Sequence, residues 1–183
     1  APVETSIYSI IADQQQRLWV GTDYGLAVIE PGHKRMSLYQ ANTATASQST
    51  SIKTSIFKDY FLVSEIDSNG QLWFGTQHSG LIQFNPNTGQ YQQYSQEREQ
   101  QTDNNAKGMP SDYVTSIAID AAHSIWIGTD KGVAVLSLDS GQFDLMKSQA
   151  FNEHSLPTDF VDDVFIDSSG LVWFATSQGA AYY

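Results

Sequence analysis

Five residues recur four times along this chain in one register: Leu18-Trp19-Val20-Gly21-Thr22, Leu72-Trp73-Phe74-Gly75-Thr76, Ile125-Trp126-Ile127-Gly128-Thr129 and Val172-Trp173-Phe174-Ala175-Thr176. The copies use all four Trp residues of the 183-residue chain, and successive Trp positions lie 54, 53 and 47 residues apart. An Asp stands six positions before each Trp, at Asp13, Asp67, Asp120 and Asp167, and a Gly follows at Gly25, Gly80, Gly132 and Gly179. Self-similarity at such a period marks a repeat architecture in which each copy is one supersecondary unit. Leucine-rich repeats are excluded, because their period is only about 20–29 residues.

The third copy shows what one unit contains. Val114 to Ile119 alternates apolar and polar residues, Ile125 to Thr129 and Val133 to Leu138 are apolar runs, and Gln142 to Met146 carries Phe143. Asp120 to Ser124, Asp130 to Gly132 and Asp139 to Gly141 separate them as tight turns. Four short strands joined by hairpins cannot bury both faces alone, so the units must stack, with Trp and its apolar neighbours filling the space between them. The sequence therefore predicts an all-β chain: a β-propeller of four-stranded antiparallel blades, about four of them, at roughly 6–40, 57–94, 111–147 and 158–183 of one partial propeller spanning 1–183. Trp19, Trp73, Trp126 and Trp173 are expected in equivalent second strands and largely buried. The Gly two residues after Trp is expected to allow close approach of a neighbour, so Ala175 in the fourth copy should shift its packing.

Two polar stretches, Asn42 to Thr54 and Ser95 to Met109, lack apolar residues at strand spacing and read as long loops between blades. The net charge of -11, from 20 acidic and 9 basic residues, works against nucleic acid and against an anionic membrane surface. With no Cys, disulfides, thiolate catalysis and cysteine-type zinc sites are excluded. No stretch approaches the roughly 20 apolar residues of a membrane-spanning helix. Opening on Ala1, with no initiator Met, the chain reads as a processed protein or an excised piece.

The acidic residues repeat where catalysis needs asymmetry. Asp13, Asp67, Asp120 and Asp167 each stand where a strand enters a turn, and an Asp there accepts backbone N–H groups further along. Paired carboxylates for glycoside hydrolysis would have to face one cleft at roughly 5 to 9 Å, and no pair is singled out. His33, His78, His123 and His154 lie in predicted turns and loops without metal-ligand spacing, and read as solvated. Asp67-Ser68-Asn69-Gly70 begins like a calcium loop, but its twelfth position is His78, so no metal site is assigned. No catalytic residue and no cofactor is assigned. A second repeat points to binding instead. Eight residues before the turn Asp stand Asp59, Asp112 and Asp159, followed by Tyr60, Tyr113 and Phe160. The position is a blade's entry to its inner strand, near the mouth of the central funnel. There, acidic and aromatic groups could hold a sugar, or could instead close a turn and pack between blades. Blade one has Thr5 and Ser6 there, leaving this rim incomplete.

These residues resemble the two-component regulator propeller repeat, an apolar strand ending in Asp, a turn, then Trp, an apolar residue, Gly-Thr and another Gly. The third and fourth copies match best, with the lead-ins Met109-Pro110-Ser111-Asp112-Tyr113-Val114 and Ser155-Leu156-Pro157-Thr158-Asp159-Phe160-Val161. Blades one and three lack the turn Gly found at Gly70 and Gly170, which leaves their turn type open. The resemblance implies an open fragment of a seven-bladed propeller, in the periplasmic sensor region of a bacterial protein whose output is a histidine kinase or diguanylate cyclase. It implies a small ligand such as an oligosaccharide, or a signal passed to a neighbouring domain. The remaining blades and output domains would be its partners, and the isolated piece should self-associate. The rival expectation is a propeller hydrolase or lyase acting on carbohydrate.

Overall fold

The computed structural model describes residues 5–39, 58–96, 108–150, 152 and 155–183. The loop expected at Asn42 to Thr54, most of that at Ser95 to Met109, and His154 lie outside them. The described residues contain no α-helix and fifteen strands. Blade 1 comprises β1 (Ile7–Ala12), β2 (Leu18–Thr22), β3 (Gly25–Ile29) and β4 (Ser37–Leu38), and blade 2 comprises β5 (Phe61–Ile66), β6 (Leu72–Thr76), β7 (Leu81–Phe84) and β8 (Tyr91–Tyr94). Blade 3 is β9 (Val114–Ile119), β10 (Ser124–Thr129), β11 (Gly132–Ser137) and β12 (Phe143–Met146). Blade 4 has three strands, β13 (Val161–Ile166), β14 (Val172–Thr176) and β15 (Gly179–Tyr182). Each sheet is an antiparallel meander in chain order. The chain divides into two compact units, Ala1–Gln93 and Tyr94–Tyr183.

All four Trp residues sit in the second strand of their blade, and the sixfold spacing to Asp has a direct cause. In every blade one carboxylate oxygen accepts the indole N–H: Asp13 from Trp19 at 2.8 Å, Asp67 from Trp73 at 2.9 Å, Asp120 from Trp126 at 2.8 Å and Asp167 from Trp173 at 2.8 Å. The other oxygen accepts backbone N–H groups two and four residues on, as in Ala122 and Ser124 bonding Asp120 at 2.8 Å each. A carboxylate with three charge-assisted bonds fixes the turn and aims the indole at once. The turn type left open for blades one and three is the same in all four. Gln16 and His123 adopt left-handed φ of 63° and 61° where Gly70 and Gly170 stand at 74° and 90°. The clamp thus overrides the cost of a side chain in that region, about 1–2 kcal/mol.

Thr closes the next turn by donating its hydroxyl to the Gly carbonyl, as Thr129 does to Gly132 at 2.7 Å. A Cβ at Gly132, whose φ is 115°, would sit on the Met146 carbonyl. Four inner strands carry a bulge at one equivalent place, where the extra residues are Tyr8, Leu62, Thr115 and Asp162.

In the first unit the apolar face of blade 1 (Trp19, Leu26, Val28) packs on Phe61, Leu72, Phe74, Ile82 and Phe84 of blade 2. In the second, Trp126 and Val133 of blade 3 pack on Val161, Val164, Val172 and Phe174 of blade 4. Trp19 meets Phe84 edge-on at 4.9 Å between ring centres, a favoured aromatic geometry. The expectation that all four indoles are buried fails for one of them. Trp19, Trp73 and Trp126 are 2%, 0% and 6% exposed, but Trp173 is 37% exposed, because among the described residues no blade lies against the face it occupies. The same absence explains Ala175. At Gly21 a Cβ would fall on the Phe61 carbonyl of the next blade, whereas Ala175 is exposed and its methyl meets no such neighbour.

Candidate ligand-binding rim

The three Asp-aromatic pairs lie immediately before the inner strands β5, β9 and β13. In the second unit their carboxylates serve the backbone. Asp112 accepts the Gln96 N–H at 2.7 Å, and Asp159 accepts the Ser148 N–H at 2.6 Å. Each bond ties the segment leaving an outer strand to the entry of the next inner strand. Tyr113 and Phe160 stand edge-on with ring centres 6.5 Å apart, and Phe160 is exposed.

The first unit uses its Asp differently. Asp59 is buried, and it accepts the Tyr60 N–H at 2.7 Å, the His78 N–H at 3.0 Å and, at 3.0 Å, the His78 ring Nδ1. His78 reaches it because the turn between β6 and β7 is one residue longer than in the other blades: Thr76 bonds Gly80 four positions on, where the other Thr–Gly pairs are three apart. A carboxylate can only accept, so Nδ1 is the nitrogen that donates to Asp59, which leaves Nε2 on the solvent-facing edge of the ring. The His78 side chain remains 67% exposed. It is solvated, as its turn position led one to expect, and it is also held on one edge by a buried acid.

One tyrosine ring stands beside it, and a second stands beside the first. Tyr60 lies 6.3 Å from the His78 ring, edge-on, and 6.2 Å from Tyr8, tilted by 45°. Both tyrosines are exposed. Blade 1 has Ser6 where the other blades carry an aromatic, and Tyr8, the bulge residue of β1, is the ring that meets Tyr60 there. Ser6 itself donates its backbone N–H to Asp23 at 3.1 Å. Tyr8 and His78 were missed by residue-by-residue reading. The longer Thr76–Gly80 spacing was the available signal for His78; nothing local distinguishes Tyr8. Among the described residues no group of three His, Asp or Glu side chains could hold a metal ion.

A family model described as two component regulator propeller matches residues 3–24 and 108–131, in blades 1 and 3. A histidine kinase of Formosa agariphila is 32% identical over 126 residues, covering 67% of this chain and 8% of the relative. The chain thus spans less than a tenth of that relative. Two solved extracellular domains of hybrid two-component systems from B. thetaiotaomicron share the fold. One has a TM-score of 0.73 at 23% identity, covering all of this chain and 22% of its own. The other has a TM-score of 0.71 at 18% identity, covering 97% of this chain and 24% of its own. With the clamped Asp-Trp unit in all four blades, this chain has the β-propeller fold and carries two stretches that match the two-component regulator propeller repeat.

Proposed function

We propose that this chain is a non-catalytic sensor propeller of a bacterial signalling protein, working outside the cytoplasm in the periplasm and passing a signal to an output domain of the same protein. The match to a histidine kinase and the likeness to extracellular two-component domains support that setting. The observation that carries the binding reading is the shelf of Tyr8, Tyr60 and His78 held by buried Asp59. Exposed tyrosine faces stack on sugar rings, and the oriented His78 Nε2 accepts a hydroxyl hydrogen bond. In the second unit, taken by itself, Asp112, Tyr113, Asp159 and Phe160 form a separate candidate site. A chain at -11 repels polyanions, so the ligand is a neutral oligosaccharide. Further blades of a longer parent are its partners, and the isolated chain self-associates through its uncovered apolar faces.

Calorimetric titration with neutral hexasaccharides, xylohexaose and maltohexaose among them, tests the binding reading. Saturable binding is expected, weakened about tenfold or more, that is about 1.4 kcal/mol, by Tyr60→Ala. Absence of binding across the panel, or equal binding by Tyr60→Ala, would sink it.

A further inference from the structure

The three rings of the first-unit shelf are not coplanar. Tyr8 and Tyr60 have ring centres 6.2 Å apart and planes inclined by 45°, while Tyr60 and His78 have centres 6.3 Å apart and planes inclined by 73°. The backbone beneath them is fixed. One buried carboxylate, Asp59, accepts the backbone N–H groups of Tyr60 and His78 as well as the His78 ring Nδ1–H. Tyr8 is held in inner strand β1, at its bulge. Both tyrosines are exposed. A surface set before its ligand arrives selects by shape, since little ordering remains to be done on binding.

The 6.2 Å between the tyrosines leaves room for neighbouring sugar units joined through one glycosidic oxygen, but not for two units with a third between them. The inclination then bears on the linkage. In a β-linked glucan of the cello-oligosaccharide type each ring is turned over relative to the last, and the chain runs as a flat ribbon of nearly coplanar rings. Such a ribbon lies flat on one tyrosine face and meets the other at an angle. In an α-linked glucan of the malto-oligosaccharide type the axial bond at the anomeric carbon inclines each ring to its neighbour. The chain curls, and successive rings can each stack on a tyrosine. We infer that the inclined Tyr8 and Tyr60 rings make this site selective for a curled α-linked glucan over a flat β-linked one. The inference rests on the sugar-binding reading above and names the linkage class within it.

Calorimetric titration of the full chain with maltohexaose and with cellohexaose, two glucose hexamers that differ in linkage, decides it. Wild type is expected to bind maltohexaose about tenfold or more tightly than cellohexaose. Tyr8→Ala is expected to lose that preference, because a single remaining platform registers one sugar unit and not the angle between two. Tyr8→Phe, which keeps the ring, is expected to retain it. Equal or tighter binding of cellohexaose, a preference that survives Tyr8→Ala, or one that is lost in Tyr8→Phe overturns the linkage assignment while sugar binding stands. So does binding of xylohexaose with neither glucan bound. Absence of binding to all three overturns the sugar reading itself. Near-ultraviolet circular dichroism verifies folding of the variants. Where Tyr8→Ala fails to fold, Tyr8→Leu replaces it, because blade 2 carries Leu62 at the same bulge position.

Discussion

Trp126 and Trp173 make the same hydrogen bond to an Asp six residues earlier, at the same 2.8 Å. One indole is 6% exposed and the other 37%. The turn, the strand and the side-chain direction are the same in blades 3 and 4; what differs is the presence of a neighbour. The clamp is therefore a local device that orients the ring whether or not anything lies against it. Burial, and most of the stabilisation, comes from the next blade.

The largest expected effect breaks this pair apart. Trp126→Ala should destabilise the chain by about 3–5 kcal/mol, the usual loss for a buried Trp. Trp173→Ala should cost about 1 kcal/mol, mainly the hydrogen bond and the contact with Tyr182. Denaturant unfolding, at concentrations low enough to keep the chain unassociated, measures both. Equal losses would show that the clamp itself carries the energy.

The next contrast concerns the residue two after Trp. Gly21→Ala drives a methyl into the Phe61 carbonyl and should cost about 1–3 kcal/mol. Ala175→Gly, at an exposed strand position, should cost no more than about 1 kcal/mol. Thermal unfolding of the two variants sharpens the comparison, and a harmless Gly21→Ala would show that the two blades do not pack closely there.

The smallest effect is in acid. Burial raises the pKa of Asp13, but bonds from the Trp19 indole and from the Arg17 backbone and guanidinium outweigh it, and the net shift is down. Asp167 is lowered from 3.8 to about 2 by bonds from Ser169 and Trp173. Both groups hold a proton more weakly folded than unfolded. Their stabilisation is therefore present above the unfolded value near 3.8 and is lost as pH falls through the folded one. For Asp167 that window runs from about 3.8 down to about 2. An Asp167→Asn variant should show a flatter loss of stability across it than wild type, followed by fluorescence of the Trp residues. An unchanged acid profile would mean that the Asp167 carboxylate contributes nothing to folding.

Much of the fold was legible because its signals are short-range and repeated. Four copies of Asp, Trp, Gly and Thr located every second strand and both flanking turns, and the third copy showed the four-strand pattern to within a residue or so. The candidate binding residues were only half legible. Asp59, Tyr60, Asp112, Tyr113, Asp159 and Phe160 stood out because they repeat. Tyr8 and His78 did not: Tyr8 holds the bulge position that Leu62, Thr115 and Asp162 hold in the other blades, so its residue type does not repeat, and His78 arrives through a single inserted residue.

The sequence by itself determined the clamp. An Asp and a Trp six residues apart on a hairpin meet through backbone geometry alone, and even Gln16 and His123 accept a left-handed conformation to preserve it. Only the tertiary structure decided which indoles are buried, why Gly21 must lack a side chain while Ala175 need not, and how Tyr8, Tyr60 and His78 come together on one shelf. Those outcomes depend on residues well separated along the chain, as Gly21 is from Phe61 and Tyr8 from Tyr60, where a neighbouring blade either removes water from an apolar face or leaves it exposed. Local spacing carries no record of that neighbour.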